Sequence, residues 1–313
     1  MRDVISDYIR DGARGATPCY IAARVLGDAA SPDGSPHYEA LRREQRPDGG
    51  YGRFHTMDTK DETKRLFLTT ESAVYRMRDL MLPPDDPVVS RAGRALLGYV
   101  DGSLAYTDTI EHHFGFQIAI SSMAAANAAA LGIGDARVEE RKRLCARAVG
   151  EVRAEIEETG KIDLAAWQAR NRARCDFMLW PETVHMLWLL SGNAHVDAGT
   201  AEGFLRYLWN LEKGVYYASS APVSRFMPVS SGKFVPWLFI LEQFAGTEAF
   251  PALMGAGAYE FLEAEVLGLI FGTVLPRASA DLLGRYWDGR RDARARAWEL
   301  AARAARLLLR AEA

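Results

Sequence analysis

Five glycines recur along this 313-residue chain at nearly even intervals. Gly50, Gly102, Gly160, Gly214 and Gly272 stand 52, 58, 54 and 58 residues apart, in the stretches QRPDGGY, YVDGSL, EETGKI, LEKGVY and LIFGTV. A period of this length is the mark of repeated supersecondary units, and it constrains the fold more than any single motif. Glycine reaches positive φ without a Cβ clash, so each stretch reads as the end of an outer helix, a turn, and an apolar residue that pins the loop to the body.

Between the glycines lie apolar helical segments: ATPCYIAARVLG, TTESAVYRMRDLM, HFGFQIAISSMAAANAAAL, PETVHMLWLLSG and PWLFILEQFAG, with a weaker sixth at SADLLGRYW. More polar partners follow, such as PVVSRAGRALLGYV, DARVEERKRLCARAVGEVRAEIEE and the terminal RRDARARAWELAARAARLLLRAEA. Runs rich in Val, Ile and Thr with strict alternation are scarce, which predicts an all-α chain. Apolar helices alternating with amphipathic ones imply an inner ring buried all round and an outer ring with one wet face. The expected architecture is an (α/α)6 barrel, a toroid of six helical hairpins with a central cavity, formed as one domain over residues 1–313. Closure accounts for the lack of polar capping repeats at either end, and an open stack of hairpins is the alternative.

Hydrophobic residues at 49%, charged residues at 25% and a net charge of −3 fit a soluble globular protein and give no footing for nucleic acid or an anionic membrane surface. The start, MRDVISDYIRDGARG, lacks the apolar core of a secretory signal. The longest apolar run is broken by Gln117, Ser121, Ser122 and Asn127, which suits a buried helix and not an integral membrane span. Cys19, Cys145 and Cys175 form no CxxC, so reduced thiols and a cytoplasmic location are expected. Neither cofactor nor oligomeric state can be read from the residues.

At QRPDGGYG, Gln45 to Gly52, Gln-x-x-Asp-Gly-Gly-aromatic-Gly resembles the repeat of squalene and other class II terpenoid cyclases and the corresponding loop of protein prenyltransferase β subunits, with a degenerate echo at NLEKGVYY. The resemblance implies a helical toroid whose cavity holds a hydrophobic, isoprenoid-type small molecule. It does not bring the family's catalysis with it. The Asp-x-Asp-Asp motif that protonates the alkene is missing, and Cys175 is followed directly by Asp176 instead of forming the Asp-x-Cys zinc pair.

In a toroid the inner helices run one way, so their N-terminal tips gather at one mouth of the cavity. Aligning the inner helices sets Thr70-Glu71 against Pro181-Glu182 and Pro236-Trp237, with proline suited to a first helical turn. Glu182 and His185, three apart, share a face. Glu111, His112, His113 and Gln117 crowd another tip, and the tail of the glycine stretch adds Arg53, His55, Asp58 and Asp61. Asp58, Glu71, His113, Glu182 and His185 are the expected catalytic constellation. In it Glu182 or Asp58 donates the proton from a carboxyl raised by burial, and His185 orients its partner. Arg53, His55, Gln117, Trp180, Lys233 and Trp237 are the expected substrate-binding residues. Against this stand plainer readings: Glu71 as a helix-dipole partner, His185 as a satisfied core histidine, and the tryptophans as core. Imidazoles and carboxylates suit zinc or iron, but no short ligand spacing such as HExxH supports a metal. The long stretch Tyr216 to Phe234, rich in Ser and Pro, reads as a lid.

Three functions follow from these residues. The first is an enzyme acting on a hydrophobic isoprenoid-type substrate by acid/base chemistry. The second is a carbohydrate-active (α/α)6 enzyme with two carboxylates across the cavity. The third is a non-catalytic ligand-binding or protein-interaction toroid, its tips filled by internal pairs such as Glu71 with Arg78.

Overall fold

A computed structural model describes residues 2–56, 66–105, 116–255, 257–273 and 293–312. The described residues form fourteen helices: α1 Arg2–Gly12, α2 Ala16–Leu26, α3 Pro36–Glu44, α4 Thr70–Asp79, α5 Pro87–Asp101, α6 Phe116–Ala130, α7 Ala136–Thr159, α8 Leu164–Arg174, α9 Val184–Leu190, α10 Ala198–Asn210, α11 Phe234–Phe244, α12 Phe250–Met254, α13 Ala258–Ile270 and α14 Ala293–Glu312. Among them the extended backbone amounts to three isolated bridges. The described residues are all-α, as the patterning predicts.

Local sequence starts and stops these helices by ordinary capping chemistry. Ser35, Asp86, Asp135, Asp163 and Asp197 each accept a bond from a backbone N–H of the first turn, and Pro36 and Pro87 sit at the first helical positions. Thr69 and Ser72 make a reciprocal capping box at the start of α4. The long helix α7 buries one stripe, Val138, Cys145, Ala146, Ala148, Val149 and Val152, and leaves its other face to solvent. In contrast α9 is buried on every side and α11 on every side but Pro236. The difference between half-wet and fully buried helices, predicted from hydropathy, is present.

Packing links the buried helices in sequence: α4 lies against α6, α6 against α9, α9 against α11, α11 against α14, and α14 against α2. Arg24 of α2 donates to the carbonyl of Met81, just beyond α4, at 3.3 Å. The two ends of the chain meet, since α14 also packs on α1, α12 and α13. The expectation that the terminal helix is a polar outer partner is therefore corrected. Its alanines 297, 301, 302, 304 and 305 are buried and allow close approach, and its one fully buried cation, Arg303, is neutralised by a forked pair with Glu242 of α11. The segment SADLLGRYW lies outside the described residues.

The repeat glycines are mostly turn devices. Gly102, Gly160, Gly214 and Gly272 have φ of 76°, 73°, 75° and 69°. In the first repeat the left-handed residue is Gly49, with φ 90°, and not Gly50. A Cβ at Gly49 would lie 2.1 Å from the carbonyl oxygen of Arg91 on α5. Gln45 explains this close approach, for its side-chain amide donates to the carbonyls of both Gly49 and Val88, 3.0 Å each, and clamps the turn onto the first turn of α5. Gly49→Ala is expected to lower stability by at least about 2 kcal/mol, from the backbone conformation and the clash together, read as a lower urea midpoint at unchanged slope. An unchanged midpoint would mean that the turn can re-form without glycine. In the fourth repeat the pinning residue is Val215, fully buried, while Tyr216 is exposed.

Candidate functional site

One device places the polar side chains. The chain after the first repeat glycine runs beside the start of α4, where Arg53 and Phe54 carbonyls accept from the N–H groups of Thr70 and Glu71 at 2.7 and 3.1 Å. These bonds satisfy donors that a helix start leaves open. The same device recurs at α9, where the Tyr216 carbonyl accepts from Val184 N–H at 3.1 Å. Thr69, which caps α4 with its side chain, and Thr183, at the N-cap position of α9, directly precede the two helices, so Glu71 and His185 each occupy the second position of their helices. The sequence alignment had paired Glu71 with Glu182; the helix starts pair it with His185, because α9 begins two residues beyond Pro181-Glu182.

Glu71 is the hub. Its Oε1 lies 2.6 Å from His185 Nε2 and its Oε2 lies 2.6 Å from His55 Nδ1. Asn127 of α6 donates to Oε1 at 3.2 Å and to the Met123 carbonyl at 2.9 Å. The carboxylate and His185 are both buried. Burial pushes the Glu71 carboxyl up, but the charge and hydrogen bonds of His185, and then those of His55, outweigh it and hold the carboxyl well below the usual range. The burial-raised general acid is expected at Glu182 or Asp58; at Glu71 the balance runs the other way and favours the ionised form.

His185 Nδ1 is buried and makes no hydrogen bond among the described residues. With Nε2 held by Glu71, a neutral His185 would leave its Nδ1 lone pair free, the geometry by which a carboxylate fixes an imidazole tautomer. Around it stand Trp188, whose ring centroid is 5.2 Å from that of His185, and Tyr217, at 5.5 Å from His185 and 5.3 Å from His55. Tyr217 is half exposed and has φ 68°, a left-handed backbone that costs an aromatic residue about 1–3 kcal/mol. It covers the cluster from the solvent side.

The other expected site residues are dispersed. Glu182 is engaged elsewhere, by the Tyr207 hydroxyl at 2.6 Å and by Lys213. Trp237 is core, packed on Phe226, Phe234 and Phe261, with its indole N–H on the Val223 carbonyl. Lys233, Gln117 and Trp180 are exposed, Lys233 preceding α11 and Gln117 in the first turn of α6. Arg53 contributes its backbone carbonyl to α4, and His55, expected to touch substrate, holds Glu71 instead. Asp58 and His113 lie outside the described residues, as do Asp61, Glu111 and His112. The Tyr216 to Phe234 stretch, read as a lid, is fastened to the body by buried Val223 and Val229 and by the Ser224 N–H on the Trp209 carbonyl, leaving Tyr216 and Tyr217 at its exposed beginning. Arg78 does not pair with Glu71; it donates to Gln243 Oε1 at 2.6 Å.

Comparison with protein-family models, curated proteins and solved structures gave no match to this chain. Among the described residues no group of three His, Cys, Asp or Glu side chains is arranged to hold a metal ion. In the Glu71 cluster the carboxylate stands between the two imidazoles and occupies the nitrogens that face it. Sequence reasoning missed Asn127, which was read only as a polar interruption of an apolar helix. A lone amide inside a run of alanines was the signal, since a buried amide needs partners.

Proposed function

We propose that α2, α4, α6, α9, α11 and α14 form the inner ring of an α/α toroid, and that the protein is an enzyme acting on a hydrophobic, isoprenoid-type small molecule by imidazole proton transfer at the Glu71 cluster. The ring reading is supported by the succession of packed pairs from α4 round to α14 and α2, with the Arg24 to Met81 bond between α2 and α4. It replaces the sixth inner helix expected from SADLLGRYW with α14. The substrate class rests on the resemblance carried by Gln45 to Gly52 and on the aromatic surroundings of Trp188, Tyr75 and Tyr217.

The observation that carries the catalytic reading is the buried, unpartnered Nδ1 of an imidazole whose other nitrogen is held by an ionised carboxylate. Leaving a polar nitrogen buried without a partner costs about 1–3 kcal/mol, an arrangement more in keeping with a reacting group than with a purely structural one. An imidazole is a far weaker acid than a carboxylic acid, so alkene protonation of the cyclase kind is not the reaction favoured. Proton abstraction beside a carbonyl, or proton transfer to and from an oxygen, is within its range. A two-carboxylate glycosidase mechanism finds less support, as Glu182 is taken by Tyr207 and Lys213.

The test is deuterium wash-in. Isoprenoid aldehydes and ketones with a saturated carbon beside the carbonyl, such as citronellal and geranylacetone, incubated with the protein in D2O, are expected to gain deuterium at that carbon, by mass spectrometry. His185→Gln should slow this by about 100-fold or more while the circular dichroism spectrum is kept. Wash-in that His185→Gln leaves untouched, or none with any compound of the panel, would remove the proposal.

A further inference from the structure

About seven residues down α4 from Glu71, roughly 10 Å along the helix axis, a second and chemically different place opens. It is a cleft of about 470 Å³ at the C-terminal ends of α2, α4, α6, α11 and α14. Four arginines line it from three helices: Arg24 of α2, Arg78 of α4, and Arg306 and Arg310 of α14. Its acids are Asp79 and Glu242, and Glu242 is already held by Arg303 and Arg306.

Among the described residues Arg24, Arg78 and Arg310 make no ion pair with any carboxylate. The exposed arginines of the surface mostly do the opposite and sit in pairs such as Arg137 with Asp101 and Arg147 with Asp176. Arg78 is the most confined of the three. It stacks 4.7 Å over the Trp188 ring and donates one N–H to Gln243. Burial pulls its guanidinium down to about 10, still charged at neutral pH. Arg24 spends one N–H on the Met81 carbonyl and leaves a buried Nε without a partner. Arg310 donates its Nε to the Ala245 carbonyl. Arg24 and Arg310 thus meet carbonyls at helix ends, which suit cations through the helix dipole. That role uses one donor of each fork and accounts for neither the Arg24 Nε nor the absence of an ion pair at Arg78. Guanidinium forks on different helices around one cleft match the several oxygens of a multiply charged oxyanion better than a single carboxylate.

We propose that this cleft binds a small multivalent oxyanion, of phosphate or polycarboxylate chemistry, held between Arg24, Arg78 and Arg310 with the Tyr75 ring along one wall. The site is separate from the Glu71 cluster and does not depend on the reaction assigned to it.

Isothermal titration of the full chain with inorganic pyrophosphate, citrate and acetate tests this. Tryptophan fluorescence, to which Trp188 stacked on Arg78 contributes, gives a second readout. Pyrophosphate, citrate or both should bind with affinity that falls as salt is raised, and acetate should not. Which of the two binds assigns the phosphate or the polycarboxylate source. Arg310→Gln and Arg24→Gln should each weaken binding by about tenfold, the loss of one charge-assisted bond, and Arg310→Lys by less. Arg310 is exposed on the last turn of α14, so its variant tests the site even if Arg78→Gln fails to fold. Absence of binding by both polyvalent anions at millimolar concentration, binding of acetate as strong as theirs, or binding indifferent to Arg310→Gln and Arg24→Gln would each overturn the proposal.

Discussion

Replacing Glu242 by alanine is expected to destabilise the protein by about 3–5 kcal/mol, because it strands a cation in the interior. Arg303 is 1% exposed and its guanidinium forks onto both oxygens of Glu242, with Arg306 at 3.4 Å from the same carboxylate. For a chain of this size that loss corresponds to a melting temperature lower by roughly 5–8 °C. The pair itself is a different matter. Desolvating both ions offsets most of their attraction, so the double variant Glu242→Leu with Arg303→Met should fall within about 1 kcal/mol of the parent or exceed it. Chemical denaturation of the parent, both single variants and the double variant measures the coupling. If Glu242→Ala alone were neutral, α14 would not be seated against α11 as described.

The second large effect is at Glu71. Glu71→Ala leaves two imidazoles and the Asn127 amide without the oxygen atoms they share, a loss of about 3 kcal/mol, or roughly 5 °C in melting temperature. Glu71→Gln keeps the shape and one acceptor, and should cost about 1 kcal/mol while abolishing proton transfer, since the charge that supports the His185 base is gone. Comparing the two separates packing from charge. A pH dependence accompanies this. The folded-state carboxyl of Glu71 is held below its ordinary value of 4.5. Its ionised form therefore contributes stability that is full above about pH 4.5 and is lost as the pH falls toward the folded-state value. The stability gap between the parent and Glu71→Gln should be constant near neutrality and narrow in acid. A gap that widened in acid would contradict the ion-paired state of Glu71.

Much of the local structure was legible. Capping residues, prolines at first turns and glycines at helix ends act between near neighbours, so Asp86-Pro87, Asp135 and Gly160 declare helix boundaries without reference to the rest of the chain. The contrast between all-buried α11 and half-wet α7 was legible for the same reason, since period and hydropathy are properties of one segment. α14 was misread because its arginines were counted as surface charge. What makes Arg303 an interior residue is Glu242, 61 positions away.

The candidate site divides along the same line. Residue type and spacing nominated Glu71, His185 and His55, because imidazoles and carboxylates in apolar surroundings are costly enough to stand out. They nominated Glu182, Trp180, Lys233 and Trp237 with equal force, and the fold set those apart. A register difference of three residues at the start of α9 gave His185, and not Glu182, the position matching Glu71. The sequence by itself determined an all-α chain of alternating helices with glycine turns at a regular interval and a short roster of polar candidates. Only the tertiary structure decided which of them meet and in which charge state. Hydrogen bonds of 3.2 and 2.6 Å to Glu71 depend on where helices 56 and 114 residues apart along the chain come to rest, as Asn127 and His185 show, and no local pattern encodes those distances.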